Sequence, residues 1–203
     1  EGMLFHSLYA PESGVYVEQL GCTLLGELDV SAFERAWQRV VDRHSILSTS
    51  FLWKRLDRTL QVVHRQHKLS LAQEDWRGLS PAEQEARLEA FLQADRRKGF
   101  DLARLPLIRL ALLRTGDQAY RFVWSHHHVI MDGWSLPLLL KEVLAYYEAF
   151  RQGHDLYLAP PRPYREYIAW LQQQDAAQGE AYWREALRGI TAPTPLVVNG
   201  AYP

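Results

Sequence analysis

Hydrophobic and polar positions follow two different periods along the chain, which predicts a mixture of helices and strands. Residues 1–10 have the pattern of the end of a helix, and residues 14–28 have that of one long strand with a bulge at Gly21. Ser31, with Glu34 three residues later, has the spacing of a capping box and predicts the start of an amphipathic helix. The apolar face of that helix consists of Phe33, Ala36, Trp37, Val40, Val41 and His44.

The middle of the chain combines two short strand-like runs with a charged helix. The runs cover residues 51–56 and 60–64, and a polar connection follows them. Ser80 and Glu83 form a second capping box, which predicts a helix that ends at Gly99. Because the apolar stripe of this helix is thin, we expect one of its faces to lie in water.

A β-hairpin is predicted where Gly116 and Asp117 separate two strand-like segments, residues 107–115 and 118–127. Successive side chains of a strand point to opposite faces of the sheet. The second strand therefore divides its side chains between the two faces of the sheet. One face carries Tyr120, Phe122, Trp124 and His126, and the opposite face carries Arg121, Val123, Ser125 and His127.

The last third of the chain is predicted to be helical. One helix runs from Ser135 to Gly153, and a proline-rich bend at residues 160–163 separates it from helices at 164–178 and 181–187. Helices and strands alternate imperfectly along the whole chain. This order predicts an α/β or α+β fold with a mixed β-sheet covered by helices.

Composition narrows the functional classes. The chain has 203 residues, of which 47% are hydrophobic, and this apolar content supports a packed core. The 23 basic and 24 acidic residues balance, so we expect neither a nucleic-acid partner nor a membrane partner. A single cysteine, Cys22, cannot form an internal disulfide, which suits a reducing compartment and predicts a cytoplasmic location.

The densest cluster of side chains capable of chemistry covers residues 125–135 and includes three adjacent histidines. It lies between a predicted strand and a predicted helix, a position that presents side chains to a cleft. A metal site is disfavoured because neighbouring histidines on a strand point to opposite faces. No G-x-S-x-G motif supports a nucleophile. General-base chemistry and a purely structural role both stay open at this point.

The segment at residues 127–133, His-His-Val-Ile-Met-Asp-Gly, matches HHxxxDG, the signature of the condensation domains of nonribosomal peptide synthetases. Four further segments resemble motifs of that family in the family's order: residues 1–6 its first motif, 43–51 RHxxLRTxF, 99–107 GFDL with PL, and 164–170 YxDYAxW. Because the ordered set extends over nearly the whole chain, it is far more specific than HHxxxDG alone.

The resemblance implies a chloramphenicol acetyltransferase-like fold, in which two similar lobes meet at the active site. The signature belongs to the first lobe, and no FVNTQ-like motif of the second lobe occurs before Pro203. Residues 1–203 are therefore expected to be the N-terminal lobe, with a linker toward the missing C-terminal lobe at about 190–203.

The implied reaction is peptide-bond formation, in which the amine of a downstream aminoacyl thioester attacks an upstream acyl or peptidyl thioester. Upstream and downstream peptidyl carrier proteins hold both substrates on phosphopantetheine arms, and the domain itself binds no cofactor or metal. The C-terminal lobe and a neighbouring adenylation domain are the other implied partners. We expect the isolated chain to be inactive.

The same resemblance assigns roles to individual residues of the motif. His128 lies beside the attacking amine, where it removes a proton or positions the amine by a hydrogen bond. His127 shapes the pocket, Asp132 orients the loop, and the Gly133 N–H faces a developing oxyanion. The expected substrate-binding residues are Met131, Trp134 and Ser135.

Ser48 departs from the family pattern, because RHxxLRTxF has its second arginine at this position. That arginine is thought to pair with the aspartate of HHxxxDG, so Asp132 is expected to be a buried carboxylate that has lost its partner. Arg43 is a candidate replacement. On this basis Ser48→Arg is expected to be tolerated.

Two alternative functions remain at this stage. In the first, the chain is a carrier-protein docking lobe without turnover of its own, and its candidate basic contacts are Arg96, Arg97 and Lys98. In the second, the chain is a relative of the epimerisation domains, which share HHxxxD. The Gly-Trp-Ser-Leu-Pro segment after Asp132 is closer to peptide-bond-forming members.

Overall fold

The computed structural model describes residues 2–10 and 13–192. Residues 1–161 form one compact unit and residues 162–203 form a second. Most of the expected linker at about 190–203 lies outside the described residues.

The first unit contains four α-helices, one short 3-10 helix and six strands among its described residues. In chain order these are α1 (Gly2–Tyr9), β1 (Val17–Leu25), α2 (Val30–Arg43), a short 3-10 helix (Ser45–Ser48), β2 (Thr49–Leu52), β3 (Leu60–Val63), β4 (Leu71–Asp75), α3 (Pro81–Lys98), β5 (Ile108–Gly116), β6 (Ala119–His127) and α4 (Ser135–Arg151).

The main sheet has four strands in the order β1-β6-β5-β4, and it is mixed as predicted. Strand β6 pairs antiparallel with both β1 and β5, whereas β4 pairs parallel with β5. Strands β2 and β3 form a separate antiparallel pair. Strand β4 was not predicted, because only Leu71 of its five residues is buried and an edge strand of this kind has no alternating apolar pattern.

The larger hydrophobic cluster lies between one face of the sheet and the helices α2 and α4. The ring centroids of Phe33 and Phe122 are 5.2 Å apart, and those of Trp37 and Trp124 are 4.9 Å apart. Helix α4 contributes the buried side chains Leu139, Val143, Tyr146 and Phe150. These aromatic contacts attach α2 to β6, the strand that carries the histidines, and α4 packs against α2 through Phe33 and Tyr147.

The opposite face of the sheet carries a smaller cluster, which α3 covers. It consists of Trp76, Ala111, Leu113 and Val123, with Leu79, Leu88, Phe91 and Leu92 packed against it. The predicted alternation along β6 is therefore confirmed, because its even-numbered aromatic residues face α2 and Val123 faces α3. Helix α3 buries none of its residues fully, as its thin apolar stripe predicted.

Local capping explains where α2 and α3 begin. The predicted box of Ser80 and Glu83 is confirmed, with the Ser80 N–H donating to the Glu83 carboxylate at 2.7 Å. The predicted start of α2 at Ser31 is wrong by two residues. Asp29 is the N-cap instead, and its carboxylate accepts a hydrogen bond from the Ala32 N–H at 2.9 Å. A charged oxygen at this position also interacts favourably with the helix dipole.

Strand β1 is shorter and more regular than its sequence pattern predicted. Gly21 pairs in register with Val123, so there is no bulge at this position. The strand ends at Leu25, and Gly26 follows with a φ of 105°, a left-handed conformation that favours glycine.

The second unit contains α5 (Tyr164–Gln172) and α6 (Ala176–Ala186). The helix is interrupted between them, because Asp175 is the N-cap of α6. Its carboxylate accepts a hydrogen bond from the Ala177 N–H at 2.9 Å. The predicted helices at 164–178 and 181–187 are therefore divided at a different residue. Among the described residues, no helix combines the length and apolarity that crossing a membrane requires.

Candidate active site

The histidine cluster lies at the end of β6, where the strand gives way to the loop that leads into α4. The His127 N–H donates to the Leu107 carbonyl at 3.1 Å, and the His128 N–H donates to the Tyr16 carbonyl at 2.8 Å. The start of the loop is thus attached to the chain on both sides of β6. This attachment fixes the position of the two histidines of the motif.

The His127 ring is held at both of its nitrogens. Its Nδ1 accepts a hydrogen bond from the Val129 N–H at 3.0 Å, and its Nε2 lies 3.1 Å from the Ser7 hydroxyl. The Ser7 hydroxyl donates to the Met3 carbonyl at 2.8 Å. Because Nδ1 is an acceptor, the neutral ring carries its proton on Nε2 and donates it to Ser7.

The electrostatics of His127 agree with this arrangement. Burial, together with the neighbouring His128, lowers the pKa of His127 to about 4. The ring is therefore uncharged at neutral pH, and both of its nitrogens serve to hold the loop. The pocket-shaping role of His127 stays a prediction.

His128 opens onto a cavity on the α4 side of β6. The cavity has a volume of about 230 Å³ and is lined by Glu18, Gln19, Leu20, His126, His128, Gly133 and Leu136. The structure thus brings His128 and Gly133 together, as the motif predicted. The His128 Nδ1 is enclosed and has no hydrogen-bond partner among the described residues. A carboxylate behind the imidazole, as in a Ser-His-Asp triad, is therefore absent from this part of the chain.

Asp132 holds the other end of the loop. Its carboxylate accepts hydrogen bonds from the Ser135 N–H at 3.0 Å and from the Ser135 hydroxyl at 2.8 Å. The hydrogen bonds from the Ser135 hydroxyl and backbone lower the pKa of Asp132. Asp132 therefore stays ionised and accepts hydrogen bonds from the first residue of α4, and its role in orienting the loop for catalysis stays a prediction.

The expectation that Asp132 is buried and lacks a partner is wrong. Asp132 is exposed to solvent, so it needs no buried cation. Arg43 does not replace the family's arginine, because its guanidinium donates to Glu142 at 3.0 Å and to the Leu158 carbonyl at 2.9 Å. Ser48 itself is buried, with only 5% of its surface exposed.

Comparison with known proteins identifies the family of the chain. The profile of the family described as "Condensation domain" matches residues 1–199. A linear gramicidin synthase of Brevibacillus parabrevis is 49% identical over 196 residues, which are 97% of this chain and 4% of that protein. Bacitracin synthase 3 of Bacillus licheniformis is 42% identical over 199 residues, which are 97% of this chain and 3% of that protein.

The chain belongs to the condensation-domain family of nonribosomal peptide synthetases. It spans only a small part of each of these synthetases. Among solved structures, the starter condensation domain of the rhizomide synthetase RzmA matches with a TM-score of 0.82 and 24% identity, over 95% of this chain and 47% of that one. That match shows the fold, which is chloramphenicol acetyltransferase-like as predicted.

The three predicted substrate contacts of the condensation domain differ in exposure. Trp134 lies immediately before α4 and is 86% exposed, so its side chain is accessible to a ligand. Ser135 is half-buried and bonded to Asp132. The prediction that Met131 contacts substrate is wrong. Only 7% of Met131 is exposed, and it packs in the main hydrophobic cluster, so it anchors the loop and is not available to a substrate.

Sequence reasoning missed two residues that the fold brings to the condensation-domain motif. Ser7 lies on α1, directly after the segment that resembles the family's first motif, and it bonds to His127. His126 precedes the motif by one position and lines the cavity with His128. The period of two along β6 was the available signal for His126, because it places residues 126 and 128 on the same side.

Proposed function

We propose that this chain is the N-terminal lobe of a peptide-bond-forming condensation domain, and that its His128 contacts the attacking amine. The observation that carries the proposal is the shared cavity of His128 and Gly133, at the end of a strand whose neighbours hold the loop in place. The relatives that cover almost the whole chain are peptide synthetases, which supports this chemistry over a structural role for the histidines.

In the proposed reaction, two carrier-bound thioesters meet at His128. The amine of the downstream aminoacyl group attacks the carbonyl carbon of the upstream thioester and forms the new C–N bond. The C–S bond breaks, and the upstream phosphopantetheine thiol leaves with the proton that the amine loses. Holding two tethered reactants in this geometry supplies roughly 7–11 kcal/mol of the reduction in barrier.

His128 acts in this proposal by positioning the amine. No other residue among those described forms a hydrogen bond with its Nδ1, so no carboxylate orients the ring as in a catalytic triad. Gly133 lets the thioester approach the backbone closely, because glycine has no side chain there. A Cβ at this position would meet no other atom of the protein within 4 Å. The space beside its backbone is thus available to a substrate, and its N–H is free to stabilise an oxyanion.

The implied partners are the two peptidyl carrier proteins, a C-terminal lobe and an adenylation domain. Arg96, Arg97 and Lys98 are exposed in the last turn of α3, where positive charge also favours the helix. They are the candidate contacts for an acidic carrier surface in the docking alternative. The reaction is assigned to the cytoplasm, where a lone thiol such as Cys22 stays reduced.

The experiment that tests the proposed function is the substitution His128→Ala in a condensation domain that contains both lobes. We expect loss of the dipeptidyl product on the downstream carrier, with only a small change in the melting temperature. The matched control is His154→Ala, which removes an exposed imidazole distant in sequence from the motif. Turnover by His128→Ala at the rate of the control would overturn the assignment. Carrier binding without turnover in the unsubstituted two-lobe domain would favour the docking alternative.

A further inference from the structure

A second imidazole faces the cavity of His128. His126 lies at the end of β6 directly opposite Glu18 of β1, and only 1% of its surface is exposed. One side of its ring packs near Trp124, with ring centroids 5.4 Å apart. The ring also lines the same cavity as His128 and Gly133.

The hydrogen bonding of His126 is incomplete. Its Nδ1 is fully enclosed and has no partner among the described residues. Burial, with smaller contributions from His128 and His127, lowers the pKa of His126 to about 4, so the ring is neutral at neutral pH. A neutral imidazole has one N–H and one lone pair.

The enclosure of Nδ1 determines which nitrogen carries the proton. Among backbone groups, a buried N–H without an acceptor is rarer than a buried carbonyl without a donor. By the same reasoning we assign the lone pair to Nδ1 and the proton to Nε2. Nε2 is then the donor of the ring, and His126 lines the cavity that the proposed function takes as the substrate site.

We propose that His126 is a further substrate-contacting residue, whose Nε2–H donates a hydrogen bond to the carbonyl oxygen of the carrier-bound aminoacyl acceptor. This inference rests on the proposed function, because it takes the cavity of His128 as the acceptor site. The carbonyl is the suitable group, since a donor directed at the amine would occupy the lone pair that attacks. His126 and His128 then hold the two ends of one aminoacyl group.

The test uses two amide substitutions in a domain that contains both lobes. The side-chain amide of glutamine reaches the position of the histidine Nε2, whereas that of asparagine reaches only the position of Nδ1. We expect His126→Asn to raise KM for the aminoacyl acceptor about tenfold, as expected for one lost hydrogen bond, with kcat little changed. We expect His126→Gln to keep KM near that of the unsubstituted domain.

The two variants share any effect of placing an amide in a buried site, so their difference reports the position of the donor. Equal KM values for His126→Asn and His126→Gln would overturn the proposal. A second measurement is the ¹⁵N spectrum of the histidine side chains, with the His126 signals assigned by their absence in His126→Gln. We expect the Nε2–H form and a shift of Nε2 when an aminoacyl pantetheine thioester is added. The Nδ1–H form, or no shift, would contradict the proposal.

Failure of this inference is distinguishable from failure of the proposed function. If the His126 variants keep their KM while His128→Ala abolishes product, then His126 only fills space and the assignment of His128 stands. If His128→Ala retains full turnover, the cavity is not the acceptor site, and both proposals are wrong.

Discussion

The Ser7 hydroxyl lies 3.1 Å from Nε2 of His127, although the two residues are 120 positions apart in the chain. This hydrogen bond connects α1 with the end of β6, and the Ser7 hydroxyl in turn donates to the Met3 carbonyl. Because the Val129 N–H donates to the other nitrogen of the ring, the imidazole has one orientation and one tautomer. The loop that carries His128 therefore depends on a helix near the start of the chain.

The first prediction concerns Ser7→Ala, which leaves the Nε2–H of His127 without its acceptor. We expect a loss of about 1 kcal/mol in the free energy of unfolding, measured by urea denaturation. We also expect slower peptide-bond formation in a two-lobe domain, because the loop loses one of its attachments. Ser7→Thr is the control, since it keeps the hydroxyl. If Ser7→Ala matches Ser7→Thr in both measurements, the hydrogen bond does not hold the loop.

A second prediction compares the two ends of the HHxxxDG loop. Asp132→Ala removes the oxygen that accepts from both the Ser135 N–H and the Ser135 hydroxyl, and we expect it to lower the melting temperature. His128→Ala removes a side chain with no hydrogen bond among the described residues, so we expect a smaller loss. Thermal melts of the two variants decide this. Asp132→Asn, which keeps an acceptor oxygen, is the control and is expected to melt above Asp132→Ala. The reverse order of Asp132→Ala and His128→Ala would exclude a capping role for Asp132.

The burial of Ser48 reverses an expectation derived from the motif alone. The family pattern has arginine at this position, so the sequence predicts that Ser48→Arg is tolerated. Ser48 is buried at the junction of the 3-10 helix with β2, and Asp132, its expected partner, is exposed in solvent. We now expect Ser48→Arg to destabilise the chain by about 2 kcal/mol or more, because it brings a cation to a buried position. Ser48→Ala, with no charge, is the control and is expected to change the melting temperature little. An unchanged melting temperature for Ser48→Arg would show that the site has room for the cation.

The pH dependence of stability follows from the two buried histidines of β6. Burial lowers the pKa of both His126 and His127 to about 4, whereas an unfolded histidine titrates near 6.5. Between these values the unfolded chain binds more protons than the folded chain, so acid favours unfolding. We expect the melting temperature to fall as the pH is lowered from about 6.5 to about 4.

The variant His126→Gln should reduce the slope of this profile, because it removes one of the groups that takes up a proton on unfolding. His154→Gln is the control, since His154 is exposed. A profile of His126→Gln as steep as that of the control would contradict a neutral, buried His126.

Local sequence determined the elements whose stabilising contacts lie within a few residues. The capping box of Ser80 and Glu83 and the hairpin around Gly116 were predicted correctly, because turn chemistry and capping depend on near neighbours. The same holds for the family assignment, which rests on short ordered motifs such as residues 127–133. The alternation along β6 also followed directly from the period of a strand.

Tertiary structure alone decided the features that depend on distant partners. Strand β4 forms because β5 supplies a parallel neighbour, although its own pattern is polar. Met131 is buried and Asp132 is exposed, because the path of the loop turns one side chain to the core and the next to water. The sequence motif alone does not predict this path. The contact of Ser7 with His127, and the cavity that His126 shares with His128, require chain segments to meet in space. Sequence therefore determined the family and the position of its motif, while long-range packing determined which side chains of the motif are buried and which are exposed.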